Sequence, residues 1–180
     1  TTSMNPVSPY ACSKLFAFNL VGCYRTSYNL KGWNGILFNH ESPRRGANFV
    51  TNKVAIAAAR IKKGLQKELA LGNLDSTRDW GHAKDYVKIM WQMLQLENPD
   101  DYVCATGVSH SVRELCDYAF NVVGLNYEDY VVQDSKFFRP TELHDLKGCT
   151  NKLNSVIDLE LEYTFESMIE EMVNYWMENI

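Results

Sequence analysis

No apolar run in this 180-residue chain approaches the roughly 18 residues that a membrane-spanning helix needs. Basic charge is also scarce. Eighteen Lys and Arg face 22 Asp and Glu, for a net charge of −4. Nonspecific nucleic-acid binding depends on clustered surface Lys and Arg, so no nucleic-acid partner and no membrane partner are expected. A small anionic ligand stays possible, because a few arginines can converge inside an acidic protein. The five cysteines (Cys12, Cys23, Cys104, Cys116, Cys149) form no CxxC, and the four histidines (His40, His82, His110, His144) form no HxxxH pair. These absences disfavour a disulfide framework and a metal site, and they fit a reduced, cytoplasmic chain. A glycine-rich phosphate loop is missing too: Gly32 and Gly35 lack the GxxGxxG spacing. Thr1 opens a polar stretch with neither a charged start nor an apolar core, so we expect a piece of a longer chain.

What is present reads as a globular domain with a real core: 46% of residues are hydrophobic and 22% charged. Ser8 followed by Pro9 opens a helix, with a capping oxygen and then a residue that has no donor to lose. Apolar residues continue to about Tyr28, and Gly32 is expected to end the turn after it. Trp33 to Phe38 suits a buried strand, and helix followed by buried strand is half of an α/β winding unit. An Ala-rich helix is expected over 51–63, closed by Gly64. Short strands are expected at 69–71 and 102–105, with a helix over about 82–96 between them. Ser111-Val112-Arg113-Glu114 reads as a capping box for a helix running to Gly124. The last helix starts near Thr164. Phe165, Met168, Ile169, Met172, Val173 and Trp176 fall on one stripe of it, read as core packing.

Tyr10 and Lys14 lie at i and i+4 near the start of the first helix, so they project from one face. A free tyrosine is a poor base at neutral pH, and a nearby ammonium favours its phenolate. Such a pair can take a proton from a sugar hydroxyl while hydride leaves for a nicotinamide. A bare YxxxK is common on helices by chance, but here it sits in Ser8-Pro9-Tyr10-Ala11-Cys12-Ser13-Lys14. That run is similar to the SPYxxSK form of the extended short-chain dehydrogenases. LFNHESPRRG (37–46) resembles the signature of the GDP-mannose 4,6-dehydratase family. So do LGNLDSTRDWGHAKDYV (71–87), Ala105-Thr106-Gly107 with Ser111-Val112-Arg113, and Phe138-Arg139-Pro140-Thr141-Glu142.

The resemblance implies an α/β fold: the final helix and strand of a Rossmann-type parallel sheet, plus a mixed α/β substrate-binding domain. Residues 1–45 would close the NADP-binding domain and 46–180 would form the nucleotide-sugar domain, with about 82–106 packing back on the sheet. It implies Tyr10 as the base at C4 and Lys14 as its activator and a ribose ligand. It implies His40 and Arg45 on NADP, although His40 also reads as a hydrogen-bonded turn histidine. Asn39 would contact the substrate, with Lys53, Arg78 and Arg139 on the GDP pyrophosphate, where guanidinium forks suit phosphate oxygens. Glu142 would take the ligand's ribose hydroxyls. Arg113 is a further pocket candidate, for which a solvated place on a helix is the alternative. Asp79 and Asp85 are read as bracing residues.

The reaction implied for the whole enzyme is conversion of GDP-mannose to GDP-4-keto-6-deoxymannose with internal recycling of NADP, by a homo-oligomer. The family's catalytic Ser/Thr and Glu precede the YxxxK helix, so they would lie before Thr1, and Glu41 does not match that Glu. The chain alone is therefore expected to be inactive. Another GDP-sugar enzyme of the extended family, an epimerase or a 4-keto reductase, is one alternative. A non-catalytic nucleotide-sugar binding module is another. After Gly148 the resemblance fades.

Overall fold

The structure is a computed structural model that describes residues 2–138 and 145–180. Helix α1 (Pro9–Tyr28) starts as its sequence demands: the Ser8 hydroxyl accepts from the Ala11 amide at 3.1 Å, and Pro9 occupies the first turn. Its end differs from expectation. Asn29, not Gly32, takes the left-handed cap conformation, with φ of 52°. Asparagine tolerates that region because its short polar side chain bonds locally. The Gly32 carbonyl instead receives the Arg25 guanidinium, which also pairs with Asp101 at 2.8 Å. No residue of α1 is buried.

Strand β1 (Asn34–Leu37) runs on through Phe38 into β2 (Asn39–Glu41), and the two halves of this stretch have different neighbours. β2 pairs in parallel with β5 (Trp80–His82), Asn39 opposite Trp80 and Glu41 opposite His82. β1 pairs in parallel with β6 (Asp101–Cys104). Two further ladders complete the strands: β3 (Leu69–Leu71) with β8 (Val131–Gln133) in parallel, and β4 (Thr77–Arg78) with β7 (His110–Ser111) antiparallel. Parallel strands joined by helices make this an α/β chain.

Around the strands lie α2 (Val50–Lys62), α3 (Ala83–Met93), α4 (Val112–Val122), the single turn α5 (Asn151–Asn154) and α6 (Phe165–Asn179). Each helix end has a local cause. Gly64 follows α2 with φ of 71°, a conformation other residues adopt at a cost. The imidazole of His82 caps α3 by accepting from the Lys84 amide at 3.1 Å. Ser111 and Glu114 form both bonds of the capping box on α4.

Two clusters make the core. The larger packs Val54, Ala55 and Ala58 of α2 against Leu115, Ala119 and Phe120 of α4 and Met168, Ile169 and Met172 of α6. The small Ala face lets the three helices approach closely. The smaller cluster joins Tyr86, Ile89 and Met93 to Tyr102, Cys104, Leu153 and Ile157. Among the described residues, no helix is long and apolar enough to cross a membrane, and all five cysteines are unpaired.

Candidate functional site

A cavity of about 320 Å³ opens where β2, the N-terminal half of α2, the end of β3 and β4 meet. Its walls include Asn39 and Glu41 of β2, Arg45 and Phe49 of the following turn, Lys53 of α2, and Arg78 of β4. Asn39 and Glu41 lie two apart on a strand and so share a face. Three cations on a cavity of this size suit a compact polyanion, because a phosphate group takes several charge-assisted hydrogen bonds at once.

Each charge is held in place. Lys53 Nζ donates to the Ala70 carbonyl at 2.8 Å and lies 4.3 Å from the Phe137 ring centre. Burial lowers the Lys53 pKa, since the charged ammonium loses hydration there. The Arg45 Nε sits 3.1 Å from the Glu41 carboxylate, and the guanidinium lies 3.6 Å over the Phe49 ring. Glu41 is only 1% exposed. Burial raises its pKa, opposed by the Thr51 hydroxyl, which donates at 2.5 Å, and by the Arg45 charge. Arg78 donates to the Thr77 carbonyl at 2.6 Å.

The other expected residues are placed elsewhere. Arg113 is outside the cavity: its Nε and Nη2 lie 3.2 and 2.8 Å from Asp75 Oδ1, and bonds with Tyr127 and with Asp75 favour its charged form. His40 is turned away from the cavity. Its Nδ1 is 2.9 Å from the Phe38 carbonyl and its ring stacks on Tyr86 with centres 5.1 Å apart. Tyr10 and Lys14 are neighbours on α1, with Lys14 Nζ 5.4 Å from the Tyr10 ring centre, and they stand apart from the cavity with Tyr10 71% exposed. Arg139 and Glu142 lie outside the described residues.

Asp79 and Asp85 brace loops. Asp79 is fully buried and its carboxylate accepts from the amides of Thr106, Gly107 and Gly148 and from the Thr106 hydroxyl. Asp85 accepts from the amides of Glu162 and Tyr163. Together they tie Thr106, Gly107, Gly148, Glu162 and Tyr163 to the β5–α3 stretch. Sequence reading missed Glu41 and Thr51 as parts of the cavity wall, and Asn52 as a buried residue that bonds the Arg45 carbonyl behind it. The available signal was Glu41's place two residues after Asn39, which becomes a shared face once residues 39–41 are recognised as a strand.

Comparison with known proteins gives the arrangement a lineage. The family model described as GDP-mannose 4,6 dehydratase matches residues 1–172. The chain belongs to the GDP-mannose 4,6-dehydratase family. It is 52% identical to GDP-mannose 4,6 dehydratase 1 of Arabidopsis thaliana over 97% of its own length and 48% of that protein's. Against the human GDP-mannose 4,6 dehydratase the identity is 45%, over 97% of this chain and 51% of the relative. The chain thus spans about half the length of these curated relatives. Among solved structures, RMD from Pseudomonas aeruginosa complexed with NADPH superposes with a TM-score of 0.90 at 25% identity, over 98% of this chain and 58% of that one. The UDP-glucose 4-epimerase of Thermotoga maritima shares the fold at a TM-score of 0.82 and 19% identity, over 97% of this chain and 55% of that one.

Proposed function

We propose that this chain is the nucleotide-sugar half of an NADP-dependent enzyme that converts GDP-mannose to GDP-4-keto-6-deoxymannose. The observation that carries the reading is the convergence of Asn39, Lys53 and Arg78 on one cavity in a chain of this family. Lys53 and Arg78 hold the diphosphate, while Asn39, in the C-terminal half of the β1–β2 stretch, contacts the sugar side. Ligands of α/β proteins collect at that end of the strands. Arg139 and Glu142 complete the same pocket in this reading.

Tyr10 removes the proton from the C4 hydroxyl, and Lys14 holds the phenolate charge and a cofactor ribose. Both side chains are adjacent and accessible on α1, an arrangement that a ribose and a reacting hydroxyl can approach together. NADP, when bound, supplies a hydride acceptor for C4 and the hydride returned at C6. His40 and Arg45 are further cofactor contacts. Removal of the C5 proton falls to a carboxylate outside these 180 residues. Glu41 does not serve, because it is buried and committed to Arg45 and Thr51.

The pairing of β1 with β6 supports a division in which residues 1–45 belong to the cofactor domain and 82–106 pack back on its sheet. An α1 without any buried residue, with Phe16 and Leu20 exposed, leaves a face for the rest of the cofactor domain or a partner subunit to cover in a homo-oligomeric whole enzyme. Unpaired cysteines suit a cytoplasmic setting. The experiment is incubation of the whole enzyme with GDP-mannose and NADP, followed by chromatography. A 4-keto-6-deoxy product supports the reading. A C4-epimerised or reduced product would replace it.

A further inference from the structure

The apolar stripe on α6 accounts for Phe165, Met168, Ile169, Met172 and Val173, all buried in the main core. It does not account for Trp176. The indole ring is half-buried beside that core, yet its Nε1 donates at 2.6 Å to the side-chain oxygen of Asn52, a fully buried residue of α2. The other end of the same amide donates at 2.5 Å to the backbone carbonyl of Arg45. The orientation of Asn52 follows from its partners. An indole N–H only donates and a backbone carbonyl only accepts, so a flipped amide would set donor against donor and acceptor against acceptor.

Arg45 is therefore held at its backbone by a relay that begins on the C-terminal helix. Its side chain is held by a second device. Buried Glu41, itself fixed by the Thr51 hydroxyl, faces Nε, and Phe49 supports the plane of the guanidinium. The turn that carries this residue is closed by two backbone bonds, Arg45 amide to Ser42 and Phe49 amide to Gly46. A long flexible side chain on an exposed turn ordinarily samples many rotamers. Here one is imposed, at the edge of the cation-lined cavity. Ordering a binding group before its ligand arrives raises affinity by removing the entropy cost of fixing it afterwards.

We propose that Trp176 and Asn52, acting with Glu41 and Thr51, are positioning residues that hold Arg45 ready for a nucleotide phosphate. This rests on the reading that the site takes nucleotides. The phosphate is either that of the sugar nucleotide or that of the dinucleotide cofactor, and the relay serves both cases in the same way.

The test is a double-mutant cycle in the whole enzyme read by calorimetry, with GDP and NADP as separate ligands. Arg45→Gln weakens one of the two nucleotides by about tenfold or more, the scale of a lost hydrogen bond to a charged group, and the affected nucleotide names the source. Trp176→Phe keeps an aromatic ring against the core while removing the indole N–H and part of the ring area, and the cycle separates the two because lost packing alone acts equally in both backgrounds. The substitution weakens that same nucleotide by about threefold to tenfold in the native background and has no further effect in the Arg45→Gln background. Equal effects of Trp176→Phe in the two backgrounds would show general loosening of the fold and overturn the proposal. So would an Arg45→Gln variant that binds both nucleotides normally, or a Trp176→Phe variant with unchanged affinity. Should Trp176→Phe fail to fold, Thr51→Val carries the same cycle, since it releases Glu41 without touching α6. Equal affinity for GDP and UDP would remove the guanine reading and leave the relay intact, so the two fail separately.

Discussion

Helix α1 and helix α2 are both central to the proposed chemistry and are built in opposite ways. α2 buries Thr51, Asn52, Val54, Ala55, Ala57, Ala58, Ala59 and Ile61, and its polar residues at the cavity each have a fixed partner. α1 buries nothing, and Tyr10 stands 71% exposed beside Lys14. The proposed binding groups are thus preorganised by contacts within this chain, whereas the proposed catalytic pair would depend on surfaces that other residues bring. A cavity can hold a diphosphate with its own walls. A tyrosine base acts only on a sugar pressed against a bound nicotinamide.

The sharpest way to break that contrast is Tyr10→Phe in the whole enzyme. Turnover falls by roughly 10²–10⁴, the usual worth of one positioned proton-transfer group, while affinity for the sugar nucleotide stays the same. Normal turnover would mean that Tyr10 is not the base. On stability the contrast runs the other way. Leu115→Ala empties fully buried space between α4 and its neighbours and lowers unfolding free energy by about 2–5 kcal/mol, measured by denaturant titration. Phe16→Ser on α1 changes it by no more than about 0.5 kcal/mol in the chain alone, because Phe16 is 68% exposed. A large loss from Phe16→Ser would show that α1 is packed in solution.

Within the cavity, Arg78→Ala weakens GDP binding by about 1.5–3 kcal/mol, and Arg78→Lys recovers only part of this because the fork geometry is lost. The smallest effect concerns Lys53. Burial lowers its pKa below the ordinary 10.5, so between the lowered value and 10.5 the unfolded chain carries a proton that the folded chain does not. Stability contributed by Lys53 therefore rises with pH across that window and is lost as pH falls through the folded value. Carbon-13 methyl-lysine NMR should show Lys53 titrating before the surface lysines, and a Lys53 resonance titrating with them would contradict its burial.

Legibility in the sequence followed the same physical divide. Helix starts were readable because a cap is a local event: Ser8, Ser111 and Thr164 each accept from an amide three residues on. The α6 stripe and the strands at 34–37, 69–71 and 101–104 were readable from apolar content. Asn39-His40-Glu41 and Trp80-Gly81-His82 were not, since their strand character comes from pairing with each other and neither run alternates in polarity. The end of α1 was misplaced because glycine is the commoner left-handed cap and Asn29 fills that role. At the site, the motif resemblance led to Asn39, Lys53 and Arg78, and the cavity contains them. The restraint of Arg45 by Glu41 and by the Trp176–Asn52 relay joins residues 41, 45, 52 and 176, a contact no local pattern encodes.

A cavity that takes a guanosine diphosphate with its own walls should do so in this chain by itself. Calorimetric titration of the chain should then give measurable GDP binding, weaker binding of UDP, and guanosine weaker than GDP by about tenfold or more, because guanosine leaves Lys53 and Arg78 without an anion. Equal affinities for GDP and guanosine would contradict it.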